Sequence, residues 1–298
     1  MSALIIDGKK IAEEIRNEVK ESTLRLKSQT GIVPGLAFIL VGEDPASQSY
    51  VKSKGKACEE LGFYSVTEKL PESISEAKVL SMIDAFNNDP KIHGILVQLP
   101  LPKHINEQKI IESISPSKDV DGFHPISAGR MMIGADTFYP CTPAGIWELL
   151  KRSSVNPSGK HVVVAGRSNI VGKPIANMLV QKKEWCNAIV TVAHTAASDL
   201  SYYTRQADIL IVAIGKPRAV TASMIKPGAV VIDVGINRVP DSSTKTGYRL
   251  VGDVDFDSAK EVAGSITPVP GGVGPMTIAM LMVNTLKSAG LSRSITNG

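Results

Sequence analysis

Cysteine is scarce: the chain has 298 residues and only three thiols, Cys58, Cys141 and Cys186. An odd number with no C-x-x-C spacing excludes a disulfide framework and a paired-cysteine metal or redox motif. It favours a reducing compartment in which the thiols pack as small hydrophobes. Aromatic residues reach only 5 %. The histidines (His93, His104, His124, His161 and His194) have no H-E-x-x-H or related spacing, so no metal is expected. No apolar run approaches the roughly 18 residues that a membrane helix needs, and no membrane partner is expected. The start, Met1 to Gly8, has no basic segment and meets an acid at Asp7, so a secretory leader is not expected and the chain reads as cytoplasmic. There is no block of like charge either. The net charge is +4, with Lys and Arg scattered along the chain, so no nucleic-acid footprint is indicated. Repeats and low-complexity segments are absent.

What remains is an ordinary globular composition, 43 % hydrophobic and 21 % charged, with enough apolar residues for real cores. The length suggests two domains. In the first half, helices and strands alternate. Residues 8–29 place Ile11, Ile15, Val19 and Leu26 amid charges, which predicts an amphipathic helix. Residues 36–41 form an apolar strand ended by Gly42, 47–61 a helix stopped at Gly62, 64–70 a strand and 75–86 a helix. The stretch HGILVQLPLP (93–102) then reads as a buried strand stopped by prolines. It carries one unexplained feature, the primary amide of Gln98, which is costly to bury without partners. A helix over 107–114 follows. In the second half a helix over 142–152 precedes the short apolar strands 161–165, 188–193, 209–214 and 229–234, with a helix over about 174–181 after the first. Parallel strands buried on both faces have this pattern, with function at their carboxyl ends. The second domain is therefore expected to be a doubly wound nucleotide-binding sheet, beginning near residues 123–126. A last helix, 275–288, has no strand partner and is expected to return to the first domain.

Four stretches carry candidate chemistry. GRSNIVGKP (166–174) joins a strand to a helix, where unpaired N–H groups and the helix dipole attract an anion. It breaks the G-x-G-x-x-G fingerprint, so a plain strand–helix turn stays open. Gly166 suits the tight turn, Gly172 close helix packing and Arg167 an adenosine ribose. The second strand ends at His194-Thr195 without an acid for a 2′-hydroxyl, which tilts the reading to NADP. In the 47–61 helix, Tyr50 and Lys54 share a face. A ring beside an amine strips water from it and favours the neutral form that acid–base work requires. Lys52 and Lys56 read as a solvated stripe. Asp119 and Asp121 in KDVDGF (118–123) are either turn chemistry or a carboxylate for an aminopyrimidine edge. TPVPGGVGPMT (267–277) is a stiff, glycine-rich loop that lets main chain approach a flat ligand.

Together with YVKSKGKACEELG, GILVQLPLP, CTPAGI and IKPGAVVIDVGIN, these stretches resemble, in order and over nearly the whole chain, the bifunctional methylenetetrahydrofolate dehydrogenase/cyclohydrolases. The resemblance implies an N-terminal α/β folate-binding domain (1–123), a Rossmann-type NADP-binding domain (124–275) and a helix over 276–298 packing back on the first, with folate in the cleft between them. It implies a homodimer that oxidises 5,10-methylenetetrahydrofolate with NADP and hydrolyses the methenyl product. Lys54 is then the cyclohydrolase acid/base, Gln98 its tuning partner, Tyr50 a surface for the folate and Asp121 the pterin anchor. Val51, Lys52, Ser53, Val97 and Leu99 line the substrate, with Pro270, Gly271, Gly272, Val273 and Gly274 of the loop. Gly166, Arg167, Ser168, Thr195, Gly215 and Ile236 hold NADP, Arg167 on its 2′-phosphate. The family often shows H-S-x-T after the second cofactor strand. Here the residues are His194-Thr195-Ala196-Ala197, and Thr195 keeps a hydroxyl for the phosphate. Without the resemblance, the residues leave open another NADP dehydrogenase, for an amino acid or a shikimate-like acid, and a catalytically dead ligand-binding protein.

Overall fold

The computed structural model describes residues 2–244 and 247–296, with side chains to residue 291. In chain order the strands are β1 (Leu4–Ile5), β2 (Gly35–Val41), β3 (Tyr64–Leu70), β4 (Gly94–Val97), β5 (His161–Ala165), β6 (Ile189–Ala193), β7 (Ile209–Val212), β8 (Val230–Asp233), β9 (Asn237–Pro240), β10 (Tyr248–Val251) and β11 (Ser265–Ile266). The chain divides into two compact units, one of residues 14–141 and 278 onward, the other of residues 1–13 and 142–277.

The first unit is built on a three-stranded parallel sheet in the order β3-β2-β4. Its middle strand, Gly-Leu-Ala-Phe-Ile-Leu-Val, is buried at every residue, as parallel strands covered on both faces are. Ala37, Ile39, Ile95 and Val97 pack on Val79, Ile83 and Ile110 from the helices Glu76–Asn88 and Glu107–Ser113. Each of these helices begins at a short polar side chain. Ser75 and Asn106 accept the N–H groups of Lys78 and Lys109, satisfying first-turn donors that have no partner inside the helix.

The second unit holds a six-stranded, wholly parallel sheet in the order β1-β11-β8-β7-β5-β6. The strand order reverses between β5 and β7, which puts the crevice for a ligand outside their carboxyl ends. Val163, Ala165, Leu210, Val212, Val231 and Ile266 form its core. A separate antiparallel pair, β9 and β10, follows β8. Among the described residues no helix is long and apolar enough to cross a membrane.

The division differs from the expected domains of 1–123 and 124–275 at both ends. Residues 1–13 belong with the six-stranded sheet, because β1 pairs in parallel with β11, Leu4 opposite Ser265. Residues 124–141 belong with the smaller sheet. There Asn284 Nδ2 donates to Val120 O at 2.8 Å and Tyr139 O at 3.0 Å, and Lys287 Nζ meets Asp136 Oδ1 at 2.6 Å. These donors lie on the last helix, Val273–Thr296. That helix is longer than expected and groups with the smaller sheet from residue 278, where Ser288 Oγ lies 2.6 Å from His93 O. The helix Pro125–Met132, capped by His124, was not expected from the sequence.

Candidate active site

The helix Pro45–Leu61 is bounded by its own sequence. The Asp44 carboxylate accepts the Ser47 N–H at 2.7 Å, Pro45 occupies the first turn, and Gly62 ends the helix in the left-handed region at φ +72°. On it Tyr50 is 43 % exposed, whereas Lys54 is 8 % exposed. Lys54 Nζ donates to Gln98 Oε1 at 3.1 Å.

Gln98 stands just past β4, with its main-chain N–H on Ile39 O of β2 at 2.9 Å. Its side-chain Nε2 donates to Leu99 O at 2.8 Å. An ammonium only donates and a carbonyl only accepts, so these two partners dictate which way the amide faces. The amide that ends the apolar run is half-buried, not buried, and has both of its ends satisfied. The Leu99–Pro100 peptide that follows is cis.

The two acids of KDVDGF separate. Asp119 is 2 % exposed. Its carboxylate accepts the N–H groups of Phe123 (3.1 Å) and His124 (2.9 Å) and the Ser127 hydroxyl (2.7 Å). Burial pushes its pKa up to about 6 against those hydrogen bonds. It is turn chemistry. Asp121 is only half-buried and lies close to Cys141, whose buried thiol is raised well above its usual pKa by desolvation and then by the Asp121 carboxylate, with Lys54 opposing. Both the Asp121 carboxylate and the Lys54 side chain thus act on the Cys141 thiol. The thiol itself donates to Val120 O at 3.4 Å and packs as an inert wall. No sequence signal beyond its place in CTPAGI marked it.

The other expected substrate residues of this unit divide by burial. Val51 is 3 % and Val97 7 % exposed, so both are buried. Lys52 and Ser53 are exposed, with Ser53 Oγ donating to Ser49 O. Lys52, two residues before Lys54, is turned about 200° from it on the helix. Leu99 is half-buried.

In the second unit the turn after β5 has the properties of a dinucleotide cradle. Gly166 has φ +135°, and a Cβ there would fall on the Ala213 carbonyl. A Cβ on Gly172 would fall on the Gly166 carbonyl. The turn and the helix Gly172–Val180 therefore approach as closely as glycine permits. Where the usual fingerprint has a further glycine, Ser168 Oγ accepts the N–H groups of Val171 (3.1 Å) and Gly172 (3.2 Å). Arg167 is exposed on this turn and Thr195 beyond β6. Asp199, the nearest acid after β6, is committed elsewhere. It caps the helix Leu200–Thr204 through the Ser201 N–H at 2.9 Å and lies 3.7 Å from the Arg205 guanidinium. Among the described residues no carboxylate is thereby left at the β6 end to take a ribose 2′-hydroxyl, and the exposed Arg167 suits a 2′-phosphate. Gly215 is exposed on the turn after β7, and Ile236 is 44 % exposed after β8. In the glycine loop, Gly271 O accepts the Lys9 N–H at 2.9 Å. Gly272 and Val273 are buried, whereas Pro270 is exposed and Gly271 and Gly274 are half-buried. Among the described residues no His, Cys, Asp and Glu cluster has the grouping of a metal site.

A wound parallel sheet with a glycine turn at its switch point, in a chain whose other unit pairs a buried lysine with a half-buried glutamine, defines a two-domain NAD(P)-binding α/β enzyme. A model of the tetrahydrofolate dehydrogenase/cyclohydrolase catalytic domain matches residues 6–121, and one of that family's NAD(P)-binding domain matches residues 140–293. The chain belongs to this family. It is 60 % identical over 295 residues to the bifunctional protein FolD of Syntrophus aciditrophicus, covering 99 % of this chain and 100 % of that one. Among solved structures, the FolD enzyme of Campylobacter jejuni matches with a TM-score of 0.92 at 50 % identity, over 98 % of this chain and 100 % of that one. The Trypanosoma brucei enzyme, complexed with NADP cofactor and inhibitor, matches with a TM-score of 0.93 at 40 % identity, over 98 % and 99 %.

Proposed function

We propose that this protein oxidises 5,10-methylenetetrahydrofolate with NADP to the 5,10-methenyl cation and hydrolyses that cation to 10-formyltetrahydrofolate. The observation that carries this reading is the Lys54–Gln98 pair, held at 3.1 Å in the unit that the family's catalytic-domain model matches. NADP, when bound, accepts the hydride. The chain's part in that step is alignment, because hydride transfer needs chiefly two carbons held about 3–3.5 Å apart. Gly166, Ser168 and Arg167 hold the phosphates, with Arg167 and Thr195 toward the 2′-phosphate.

In the hydrolytic step water adds to the methenyl carbon and loses a proton. The resulting hydroxyl then gives up its proton to form the formyl C=O as the carbon–nitrogen bond of the ring breaks, and the released nitrogen takes up a proton, so that one proton is released overall. Lys54 Nζ moves these protons, Gln98 Oε1 keeps the amine aimed, Tyr50 offers its half-exposed ring to the folate and Asp121 anchors the pterin edge. The test is direct: protein mixed with methylenetetrahydrofolate and NADP is expected to produce NADPH and a transient methenyl absorbance. Binding of both without turnover, with NADP or NAD, would leave a ligand-binding protein instead.

The assembly we propose is a homodimer formed through β6, the end strand of the six-stranded sheet. This strand exposes Ile189 (64 %) and Val192 (41 %), and a bare apolar edge invites pairing with a second copy. Light scattering after gel filtration is expected to report twice the 31.7 kDa chain mass. Lysine at both positions should yield monomer, and a dimer indifferent to those two lysines would move the interface elsewhere. The free thiols Cys58, Cys141 and Cys186 suit a reducing compartment, and we place the enzyme in the cytoplasm.

A further inference from the structure

Two carboxylates that the chemistry above leaves unused lie deep in the second unit: Asp233 is 3 % exposed and Asp253 0 %. Buried charge is costly unless hydrogen bonds compensate it, and here they do. Asp253 Oδ2 accepts the consecutive main-chain N–H groups of Ile214 and Gly215, both at 2.7 Å. Its Oδ1 accepts Asn237 Nδ2 at 2.8 Å. Asp233 Oδ1 accepts the N–H groups of Gly235 (2.9 Å) and of Asp253 itself (3.0 Å), and Oδ2 that of Val254 (2.9 Å). There is no room to spare around them, since a Cβ on Gly235 would overlap Asp253 Oδ1 and one on Gly252 would overlap Asp233 Oδ2. Burial, reinforced by the neighbouring Asp253, pushes the Asp233 carboxyl up to about 7.

This network ties together three segments that are distant in sequence: the turn after β7, the turn after β8 and the residues following β10. The first two lie at the carboxyl ends of adjacent strands, on one side of the switch point, where a wound sheet receives its dinucleotide. The first includes Gly215. Ile236, in the second, immediately precedes Asn237, the residue that Asp253 grips. The tie falls on the two turns assigned to the cofactor and directs its bonds at their main-chain amides.

We propose that Asp253, itself seated by Asp233, is a positioning residue for NADP: it sets the main chain of Ile214 and Gly215, and through Asn237 that of Ile236, in the geometry the cofactor meets. The proposal rests on the dehydrogenase/cyclohydrolase reading, and the second activity supplies its control. Hydrolysis of methenyltetrahydrofolate needs no NADP, and Lys54 and Gln98 belong to the other unit. An amide at residue 253 cannot accept from two N–H groups and from Asn237 at once with both of its heavy atoms. Asp253→Asn is therefore expected to weaken NADP binding at least about tenfold, roughly the loss of one hydrogen bond to a charged group. Calorimetric titration reads this directly, and the KM for NADP should rise in parallel while hydrolysis stays near the wild-type rate.

Asn237→Ala removes the bond to Asp253 Oδ1 together with the longer one to Val251 O at 3.4 Å, leaves the Asp253 bonds to Ile214 and Gly215 in place, and is expected to show the same selective effect, several-fold. It decides the matter if the Asp253 variant does not fold. An unchanged NADP affinity in either folded variant overturns the proposal. So does a loss in which hydrolysis and thermal stability fall in step with NADP affinity. Failure of the wild-type protein to hydrolyse methenyltetrahydrofolate at all would instead remove the functional reading beneath it.

Discussion

Lys54→Met is expected to reduce hydrolysis of methenyltetrahydrofolate by about 10²–10⁴-fold, the usual worth of a positioned acid–base group, while NADP still binds. Methionine is close to lysine in length and unbranched, so it fills the same space on the helix Pro45–Leu61. What it removes is the proton carrier and the donor to Gln98 Oε1, now at 3.1 Å. Lys54 is 8 % exposed, so the change replaces a buried polar head with an apolar one and adds no charge. Decay of the methenyl absorbance reports the chemistry, and titration calorimetry reports the cofactor. Gln98→Leu should fall in the same direction by a smaller factor, because it leaves the amine present but no longer aimed. Full hydrolysis by Lys54→Met would return the pair to a structural contact.

Gly166→Ala is expected to do the reverse, abolishing NADP binding and the dehydrogenase while hydrolysis survives. The new methyl would sit on the Ala213 carbonyl at a residue with φ +135°. Strained backbone of this kind costs about 1–3 kcal/mol, and forcing an extra carbon into close-packed surroundings costs about another 1–3 kcal/mol. Since the obstacle is the main chain of Ala213, the relief available is a shift of the turn that cradles the phosphates. The measurements are NADP affinity, the unfolding temperature with and without NADP, and the two rates. A variant that binds NADP normally would show that this turn does not hold the phosphates. One that loses hydrolysis equally would show that the two units fail together.

The effect of each substitution depends on how legible its surroundings were. Gln98 stood out because a primary amide ends an apolar run before two prolines. Lys54 and Tyr50 stood out because four residues bring two side chains to one helix face. Gly166 and Gly172 bracket a strand–helix turn that close approach requires. In each case the signal is local: period, propensity or a breaker within a dozen residues.

Pairing was not legible in any local pattern, and the Lys54–Gln98 partnership was expected only from the family resemblance. Lys54 meets Gln98 44 residues away, because β2 and β4 align Ile39 with Val97 and so place the residue after β4 at Ile39 O. Asp119 and Asp121 look alike in the sequence. Burial separates them, one accepting three turn donors and the other half-open beside Cys141. Asp253 reaches Ile214 across 39 residues through strand order alone. The edge strand β1 was invisible because two residues carry no periodicity.

By itself, then, the sequence determined the alternation of helices and strands, the wound dinucleotide sheet, and most of the side chains that carry chemistry. These follow from short-range sterics and hydrophobic period. The tertiary structure alone decided which carboxylate is scaffold, that the other end of the Gln98 amide is held by Leu99 O, where the units divide, and which buried acids brace the cofactor turns. Those depend on which distant main-chain donors strand order and register bring within reach of a side chain, and no local pattern encodes that.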